Sequence, residues 1–371
     1  MPREARPRVA AELRGAGAHP AAWRAPGARP AELFDPGYHV ELARLADRAG
    51  LDLLFLPDSF EPPDERTDVV QGGLDAVAIA ARVAPVTSRV GLVPTATTTH
   101  TEPFHLSKAL ATVDFVGAGR AGWEVAVSGT DRAAALFGRK PAAPPEVRWR
   151  EAADVAEVVV RLWDSWEDDA EIRDVATGRF VDRGKLHYVD FSGEFFSVRG
   201  PSITPRPPQG HPPIAVRAAD RHSLRVAAAR ADLVRIAASD VDVAGAFADV
   251  VRAEVAAAGR NPDEVGVLLD VEVLLAEAGA EQRLAELDAH LPHEPQSARV
   301  VGTPRAAADL ALRAHESGVD GVTFRPLVLP DGLRAVAEDV LPLLPGEPPG
   351  GTLRDRLGLP RARNTFTEGD A

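Results

Sequence analysis

Residues 37–58, GYHVELARLADRAGLDLLFLPD, contain one complete unit of the fold, a helix followed by a buried strand. Apolar side chains recur at helical spacing before Gly50, and glycine commonly stands directly after a helix. Residues 51–56 are apolar at nearly every position and end at Pro57 and Asp58, which is typical of a strand buried on both faces. The unit predicts parallel strands joined by helices.

The same alternation recurs along the chain. Further strands are predicted at residues 9–13, 90–95, 121–127, 214–216, 233–236, 265–275 and 319–324, and further helices at residues 74–84, 104–116, 218–230, 243–258 and 304–317. Roughly eight such units favour an α/β fold of the (β/α)8 TIM barrel type with insertions. The pattern alone leaves an open, doubly wound sheet as the alternative.

Two segments depart from this rhythm and define the expected domain organisation. Residues 166–209 are polar, carry several glycines and prolines, and are predicted to be an insertion that forms a lid over one end of the barrel. The barrel itself is expected to span residues 1–344, and residues 345–371 are expected to form a C-terminal tail.

Composition excludes several classes of protein. The chain has 371 residues and a formal net charge of −13, which disfavours a nucleic-acid partner because no positive field attracts phosphate. It contains no cysteine, so disulfides and thiolate chemistry are excluded, which fits a cytoplasmic protein. No apolar run is long enough to span a membrane, and the N-terminus lacks the apolar centre of a signal peptide.

The candidate site lies where the predicted strands end, because barrel enzymes place their active sites at the carboxyl ends of the strands. Polar residues follow five strands: His19, Asp58, residues 95–100 (TATTTH), residues 128–130 (SGT) and residues 217–220 (RAAD). Each has a simpler alternative: Asp58 could cap a turn, the threonines could be strand edge, and His19 and His100 could be structural.

Familiar catalytic motifs are missing from the sequence. It contains no histidine pair at metal-binding spacing, no G-x-S-x-G and no P-loop, so no metal is expected. The glycines of residues 117–122 (GAGRAG) precede a strand, whereas a dinucleotide fingerprint joins a strand to a helix. They predict a tight turn from a helix into a strand.

Several longer strings identify a family resemblance that spans nearly the whole chain. They are LLFLPD (53–58), VTSRVGL (86–92), GRAGW (119–123), LWDSWEDDA (162–170), VRGP (198–201), PQG (208–210), VGTP (301–304) and TLRDRLGL (352–359). In this order and spacing they resemble the bacterial luciferase-like flavin monooxygenases. The branch that is most similar contains nitrilotriacetate and dibenzothiophene-sulfone monooxygenases.

The resemblance implies a (β/α)8 barrel and two-component chemistry. A separate flavin reductase would supply reduced FMN, which would react with O2 and a small organic substrate, while the protein positions the reactants and excludes water. Barrels of this family commonly assemble, which implies a homodimer or a higher homo-oligomer.

The resemblance also assigns site residues by position. Asp58 would contact the flavin ring or ribityl chain, Thr97 and Thr98 would hydrogen-bond near the ring, and Ser128 would lie near the ribityl chain or phosphate. His19 falls on the substrate side and would be catalytic as an acid or base, which its near-neutral pKa suits.

The chain departs from the branch at three places. Glu124 replaces the usual Asn after GRAGW, residues 126–128 (AVS) replace V-T-S, and residues 216–220 (VRAAD) replace the phosphate loop Q-A-G-x-S. In this loop, which includes Ala219, Asp220 would repel a phosphate dianion, whereas Arg217 and Arg221 could restore the attraction. Two alternatives therefore stay open: an enzyme that transfers hydride with the deazaflavin F420, and a flavin-free, non-catalytic barrel subunit.

Overall fold

The computed structural model describes residues 6–62, 65–346 and 350–367. The predicted tail from residue 345 onwards therefore lies partly outside the described residues. The described strands are β1 Arg8–Glu12, β2 Leu53–Leu56, β3 Gly91–Thr97, β4 Trp123–Ala126, β5 Glu171–Asp174, β6 Arg179–Val181, β7 Phe191–Ser192, β8 Ser197–Val198, β9 Ile214–Arg217, β10 Leu233–Ile236, β11 Gly266–Leu275, β12 Ala298–Gly302 and β13 Gly321–Pro326.

Helices follow the barrel strands in sequence. The α-helices are α1 Pro36–Ala49, α2 Ala76–Val83, α3 Pro103–Val116, α4 Asp131–Phe137, α5 Pro145–Asp164, α6 Arg221–Arg230, α7 Val241–Ala257, α8 Ala280–His290, α9 Pro304–Glu316, α10 Asp331–Arg334 and α11 Leu353–Arg356. Gly50 ends α1 with a left-handed backbone (φ 85°), and the Thr303 side chain caps α9, so both predicted helix boundaries are confirmed.

Eight parallel strands close into a barrel, which confirms the predicted fold class. The order around the barrel is β1-β2-β3-β4-β9-β10-β11-β13, and β13 pairs with β1 to close it. Glycine is required at this closure, because a Cβ at Gly321 would lie 2.1 Å from the carbonyl oxygen of Arg8. The open sheet is therefore excluded.

The amino end of the barrel is filled by the C-terminal segment. Leu353, the first residue of α11, is 1% exposed, and its backbone N–H donates to the carbonyl oxygen of Gly119 at 2.7 Å. The interior cluster at this end joins side chains of the strands to those of the tail (Ala10, Leu53, Phe55, Val93, Ala215, Leu233, Leu268, Leu353, Leu357 and Leu359). This closure leaves the carboxyl end as the open mouth.

Residues 166–209 contain two short hairpins, β5–β6 and β7–β8. The second hairpin packs on the outer side of α3 and α5, where Phe196 and Val189 join Val158 and Leu162 in an apolar cluster. Its Phe195–Phe196 tip lines a cavity together with residues 98–101 of the mouth. The insertion thus borders the mouth from one side, and its action as a lid stays a prediction.

The structure adds elements that the periodicity did not predict. One of them is α5, which has 20 residues and is the longest of the described helices. Two others are α8 and β12, which are inserted between β11 and α9. β12 pairs with the second half of β11, whereas β10 pairs with its first half, which is why β11 extends over 10 residues. The turn at residues 117–122 joins α3 to β4 as predicted.

The described part of the chain lacks two further kinds of feature. None of its helices is both long and apolar enough to cross a membrane. Within the same residues, no group of three or more histidine and carboxylate side chains is arranged to hold a metal ion.

Candidate active site

The half of the barrel interior nearer the mouth is lined by charged side chains. Residues two apart on a strand face the same side, so one strand can place an apolar residue near the tail and a charged residue nearer the mouth. Leu233 faces the interior near the tail, and Arg235, two residues further along β10, faces it nearer the mouth. The same step on β11 leads from Leu268 to Asp270 and then to Glu272. The apolar plug is therefore overlaid by a layer of buried charges.

Arg235 lies at the centre of this layer and is 1% exposed. Its guanidinium donates to Glu12 at 2.7 Å, to Glu124 at 2.8 Å and to Asp270 at 2.9 Å, and it lies 4.4 Å from the centre of the Phe55 ring. Each of the three guanidinium nitrogens thus donates to a different carboxylate, so the charges are held in fixed positions.

A second arginine extends the layer towards β12. Arg325 donates to Glu12 at 3.2 Å and lies 3.6 Å from Glu272, which also pairs with Arg299 at 2.7 Å. Burial raises the pKa of Glu272, but hydrogen bonds from His293 and Arg299 outweigh burial and lower it to about 2. Glu272 is therefore ionised at neutral pH.

Buried hydroxyls at the ends of β3 and β4 lack partners. Among the described residues, nothing hydrogen-bonds to Oγ1 of Thr97 or Oγ of Ser128, although these residues are only 4% and 5% exposed. The neighbouring backbone is fixed, because Thr98 donates to the Ala126 carbonyl oxygen at 3.1 Å and Ser128 N–H donates to Thr99 Oγ1 at 2.9 Å. Buried polar groups without partners mark a place for a polar ligand.

His100 adjoins these hydroxyls on the outer side of the mouth. Its ring stacks on Phe137 with centres 4.6 Å apart, and it lines a cavity of about 220 Å³ together with Arg139 and Lys140. Its Nδ1 atom is buried and has no partner within the described ranges. Burial, and then the charge of Lys140, lower the pKa of His100.

Asp58 follows β2 and contacts the first residue of α2, the helix that Asp75 caps. Its carboxylate accepts hydrogen bonds from the backbone N–H groups of Ser59 at 2.7 Å and Ala76 at 3.0 Å. Asp58 and Thr97 line the same cavity, of about 360 Å³. The structure thus brings Asp58, Thr97, Thr98 and Ser128 to one side of the mouth, and a flavin-binding role for them stays a prediction.

His19 is 1% exposed, and both of its ring nitrogens are engaged. Nδ1 accepts from the backbone N–H of Ala21 at 3.0 Å, so that Nε2 carries the proton and donates to Asp288 at 3.1 Å. Burial lowers the pKa of His19, while the hydrogen bond to Asp288 opposes this effect. The ring is neutral and fixed, and its predicted catalytic role is untested.

The loop after β9 differs from the expected phosphate cradle. The Asp220 carboxylate accepts from the backbone N–H groups of His222 and Ser223, both at 2.8 Å, and Ser223 Oγ accepts from the N–H groups of Ala219 and Asp220. Arg217 does not join them; its Nε lies 3.1 Å from Asp270 inside the barrel. The expectation that Arg217 flanks Asp220 therefore needs correction, because the strand alternation directs Arg217 inward.

Sequence reasoning missed the buried charges themselves. Arg235, Asp270 and Glu272 each interrupt an otherwise apolar strand, and the four carboxylates and two buried arginines of the layer belong to five strands. A charged residue at an inward position of a buried strand is the signal that could have revealed them, because isolated buried charges are rare.

Comparison with known proteins gives consistent matches. Residues 16–321 match the family model described as luciferase-like monooxygenase. The N-acetyl-S-(2-succino)cysteine monooxygenase of Bacillus subtilis is 29% identical, and the match covers 96% of this chain and 97% of that protein. The nitrilotriacetate monooxygenase component A of Aminobacter aminovorans is 31% identical, and the match covers 95% of this chain and 96% of that protein.

Solved structures agree on the fold. A long-chain alkane monooxygenase superposes with a TM-score of 0.87 at 24% identity, covering 99% of this chain and 96% of the other. An F420-dependent tetrahydromethanopterin reductase of Methanopyrus kandleri is more distant, with a TM-score of 0.65 at 14% identity over 91% of this chain and 99% of the other.

Proposed function

Because this chain belongs to the luciferase-like monooxygenase family and is a flavin-dependent oxidoreductase, we propose that it is the oxygenase component of a two-component system using reduced FMN and O2. The reduced flavin would come from a separate reductase, as the component name of the nitrilotriacetate relative suggests. Bound reduced FMN would supply the reaction with O2, and the protein would bind, orient and shield the reactants.

The observation that carries this proposal is the pair of unpartnered hydroxyls of Thr97 and Ser128. Flavin carries ring carbonyl, ring nitrogen and ribityl hydroxyl groups that can hydrogen-bond to two such hydroxyls on adjacent strands. The backbone contacts of Thr98 and Thr99 hold these strand ends together before any ligand binds. The residues present at the end of β3 and β4 therefore fit the ring and ribityl portion of a flavin.

The barrel beneath this position is suited to excluding water. The apolar plug around Leu353 closes the amino end, and above it Arg235 donates to three carboxylates of the barrel interior. Such a floor offers a bound cofactor neither bulk water nor a free acid, which disfavours wasteful release of H2O2.

His19 would serve the reaction in a neutral form. Its Nε2 proton is donated to Asp288 and its Nδ1 accepts from Ala21, so the ring could give or take a proton only after one of these two contacts breaks. We keep it as the proposed catalytic residue because the family resemblance places it on the substrate side.

A second copy of the chain is the proposed structural partner. Phe115 and Val116 at the end of α3 are 45% and 44% exposed, and the cavity that Asp58 and Thr97 line extends outward between α2 and α3, where Ala78 and Ala109 line it. An uncovered apolar face of this kind is typical of an interface.

The proposal is tested by anaerobic titration with reduced FMN. Replacing a flavin-contacting hydroxyl removes one hydrogen bond to the ligand, so Thr97→Val and Ser128→Ala are each expected to weaken binding by about tenfold. The matched control is Thr177→Val, at an exposed threonine of the β5–β6 turn, which is expected to leave the affinity unchanged.

The same titration separates the alternatives. Saturable binding of reduced FMN, followed by O2 consumption on mixing with air, supports the proposal. Binding and hydride transfer with F420, but not with FMN, would replace it with the F420 enzyme. Binding of neither cofactor would leave the non-catalytic barrel subunit.

A further inference from the structure

The rim of the mouth is formed by the loops that follow the barrel strands. In this rim the loop between β9 and α6 lies next to the loop that contains Ser128. β4 pairs with β9, with Val125 opposite Val216, so the end of β9 lies beside the end of β4. A flavin bound by Thr97 and Ser128 with its ribityl chain directed along the rim would bring its terminal group to the start of α6. Helix N-termini are common phosphate sites, because their free N–H groups and dipole attract anions.

In this chain the backbone N–H groups at the N-terminus of α6 already have hydrogen-bond partners within the protein. Asp220 and Ser223 form a capping box in which the Asp220 carboxylate accepts two backbone N–H groups of the first turn. Ser223 Oγ accepts the N–H groups of Ala219 and Asp220, at 3.0 and 2.9 Å. Four backbone donors are thus bound by the chain itself, and an ionised carboxylate stands where a phosphate oxygen would bind.

Nearby cations do not reverse this arrangement. Arg217 pairs with Asp270 inside the barrel, and Arg221 Nε lies 3.2 Å from Nε2 of His222 on the exposed side of the helix. The rim beyond Ser128 therefore presents negative charge to an incoming dianion.

We infer that this chain binds flavin through the ring and ribityl groups without selecting for the terminal phosphate, so that riboflavin binds about as well as FMN. The inference rests on the proposed function, since it concerns the same flavin site. Asp220 is then the residue that cancels phosphate recognition, and its negative charge is the physical cause.

The test compares the dissociation constants of FMN and riboflavin for the full chain, measured by flavin fluorescence and repeated with the reduced flavins under anaerobic conditions. For the unmodified protein the two constants are expected to agree within about threefold. Asp220→Asn and Asp220→Ser keep a good helix cap but remove the charge, and each is expected to tighten FMN by about tenfold while leaving riboflavin unchanged.

Asp240→Asn is the matched control, because Asp240 caps α7 with nearly the same backbone geometry (φ −155° and ψ 178°, against −152° and 176° for Asp220) and loses the same charge. An equal gain in FMN affinity there would attribute the effect to overall charge and overturn the inference. FMN binding at least about tenfold tighter than riboflavin in the unmodified protein would also overturn it, with the proposed function intact. Failure of both flavins to bind would overturn the proposed function and the inference together.

Discussion

Glu124 stands where the family resemblance implies an asparagine after GRAGW, and the structure gives a physical reason for the carboxylate. Its carboxylate accepts from Arg235 at 2.8 Å and from the Thr95 hydroxyl at 2.7 Å. A neutral amide would leave part of the arginine charge uncompensated in the barrel interior. The departure therefore belongs to a buried ion-pair layer, whose second member lies 111 residues away in the chain.

Removing Arg235 tests this layer. Arg235→Met leaves Glu12, Glu124 and Asp270 without their shared cation, and we expect the free energy of unfolding to fall by about 3–5 kcal/mol at neutral pH, because each stays buried. Urea denaturation followed by circular dichroism measures the change. Arg305→Met, which breaks an exposed pair with Asp309, should cost no more than about 0.5 kcal/mol, and equal losses in the two variants would refute the ion-pair interpretation.

The sequence predicted the placement of Thr97 and Ser128 better than that of Arg217 and Asp220. Thr97 and Ser128 follow neighbouring strands, so their proximity follows from strand order alone once the barrel is assumed. Arg217 and Asp220 follow the next strand, but their side chains diverge because strand alternation directs the first inward and helix capping holds the second. Such side-chain directions depend on contacts that a pattern of residue types does not contain.

At the scale of elements, α11 turns the end of the chain into part of the barrel. Residues 345–371 are predicted to be a tail outside the barrel, yet Leu353 is among the interior residues at the amino end. The side-chain amide oxygen of Gln209 accepts the N–H of Arg354 at 2.7 Å, which ties the end of the insertion to this helix. The plug is thus held by both apolar packing and hydrogen bonds.

Leu353→Ala tests the contribution of the plug. Deleting a fully buried leucine leaves a cavity beneath the charge layer, so we expect a loss of about 2–5 kcal/mol in the free energy of unfolding, measured by urea denaturation. Leu136→Ala on α4, where the leucine is 62% exposed, is the control and should change stability by less than about 1 kcal/mol. Similar losses at both positions would mean that the tail is not part of the core.

The elements that periodicity predicted are those with one apolar stripe or one apolar run, such as α1, α9 and β2. The excursion of α8 and β12 was missed because α8 buries only Ala280 and Leu287 and therefore shows no clear apolar stripe. The barrel could be predicted without these two elements, since they extend β11 rather than close the sheet.

At the scale of the whole molecule, charge limits where two copies can meet. A net charge of −13 makes copies repel each other, so a stable interface needs an apolar face with few charges. The outer faces of α2 and α3 carry the apolar residues Ala78, Ala109, Phe115 and Val116, with Asp75 and Lys108 beside them, and we propose that this face is the interface. A twofold axis would bring the same residues of both copies together and bury the exposed aromatic ring.

Ala78→Glu tests this face, because it places two equal charges opposite each other across the proposed axis. We expect the unmodified protein to have twice the 39.3 kDa chain mass by light scattering after size-exclusion chromatography, and the variant to have the mass of one chain. The control is Ala253→Glu, which adds the same charge at an exposed alanine of α7. A single-chain mass for the unmodified protein would exclude the interface, and dissociation by both variants would attribute assembly to total charge instead of this face.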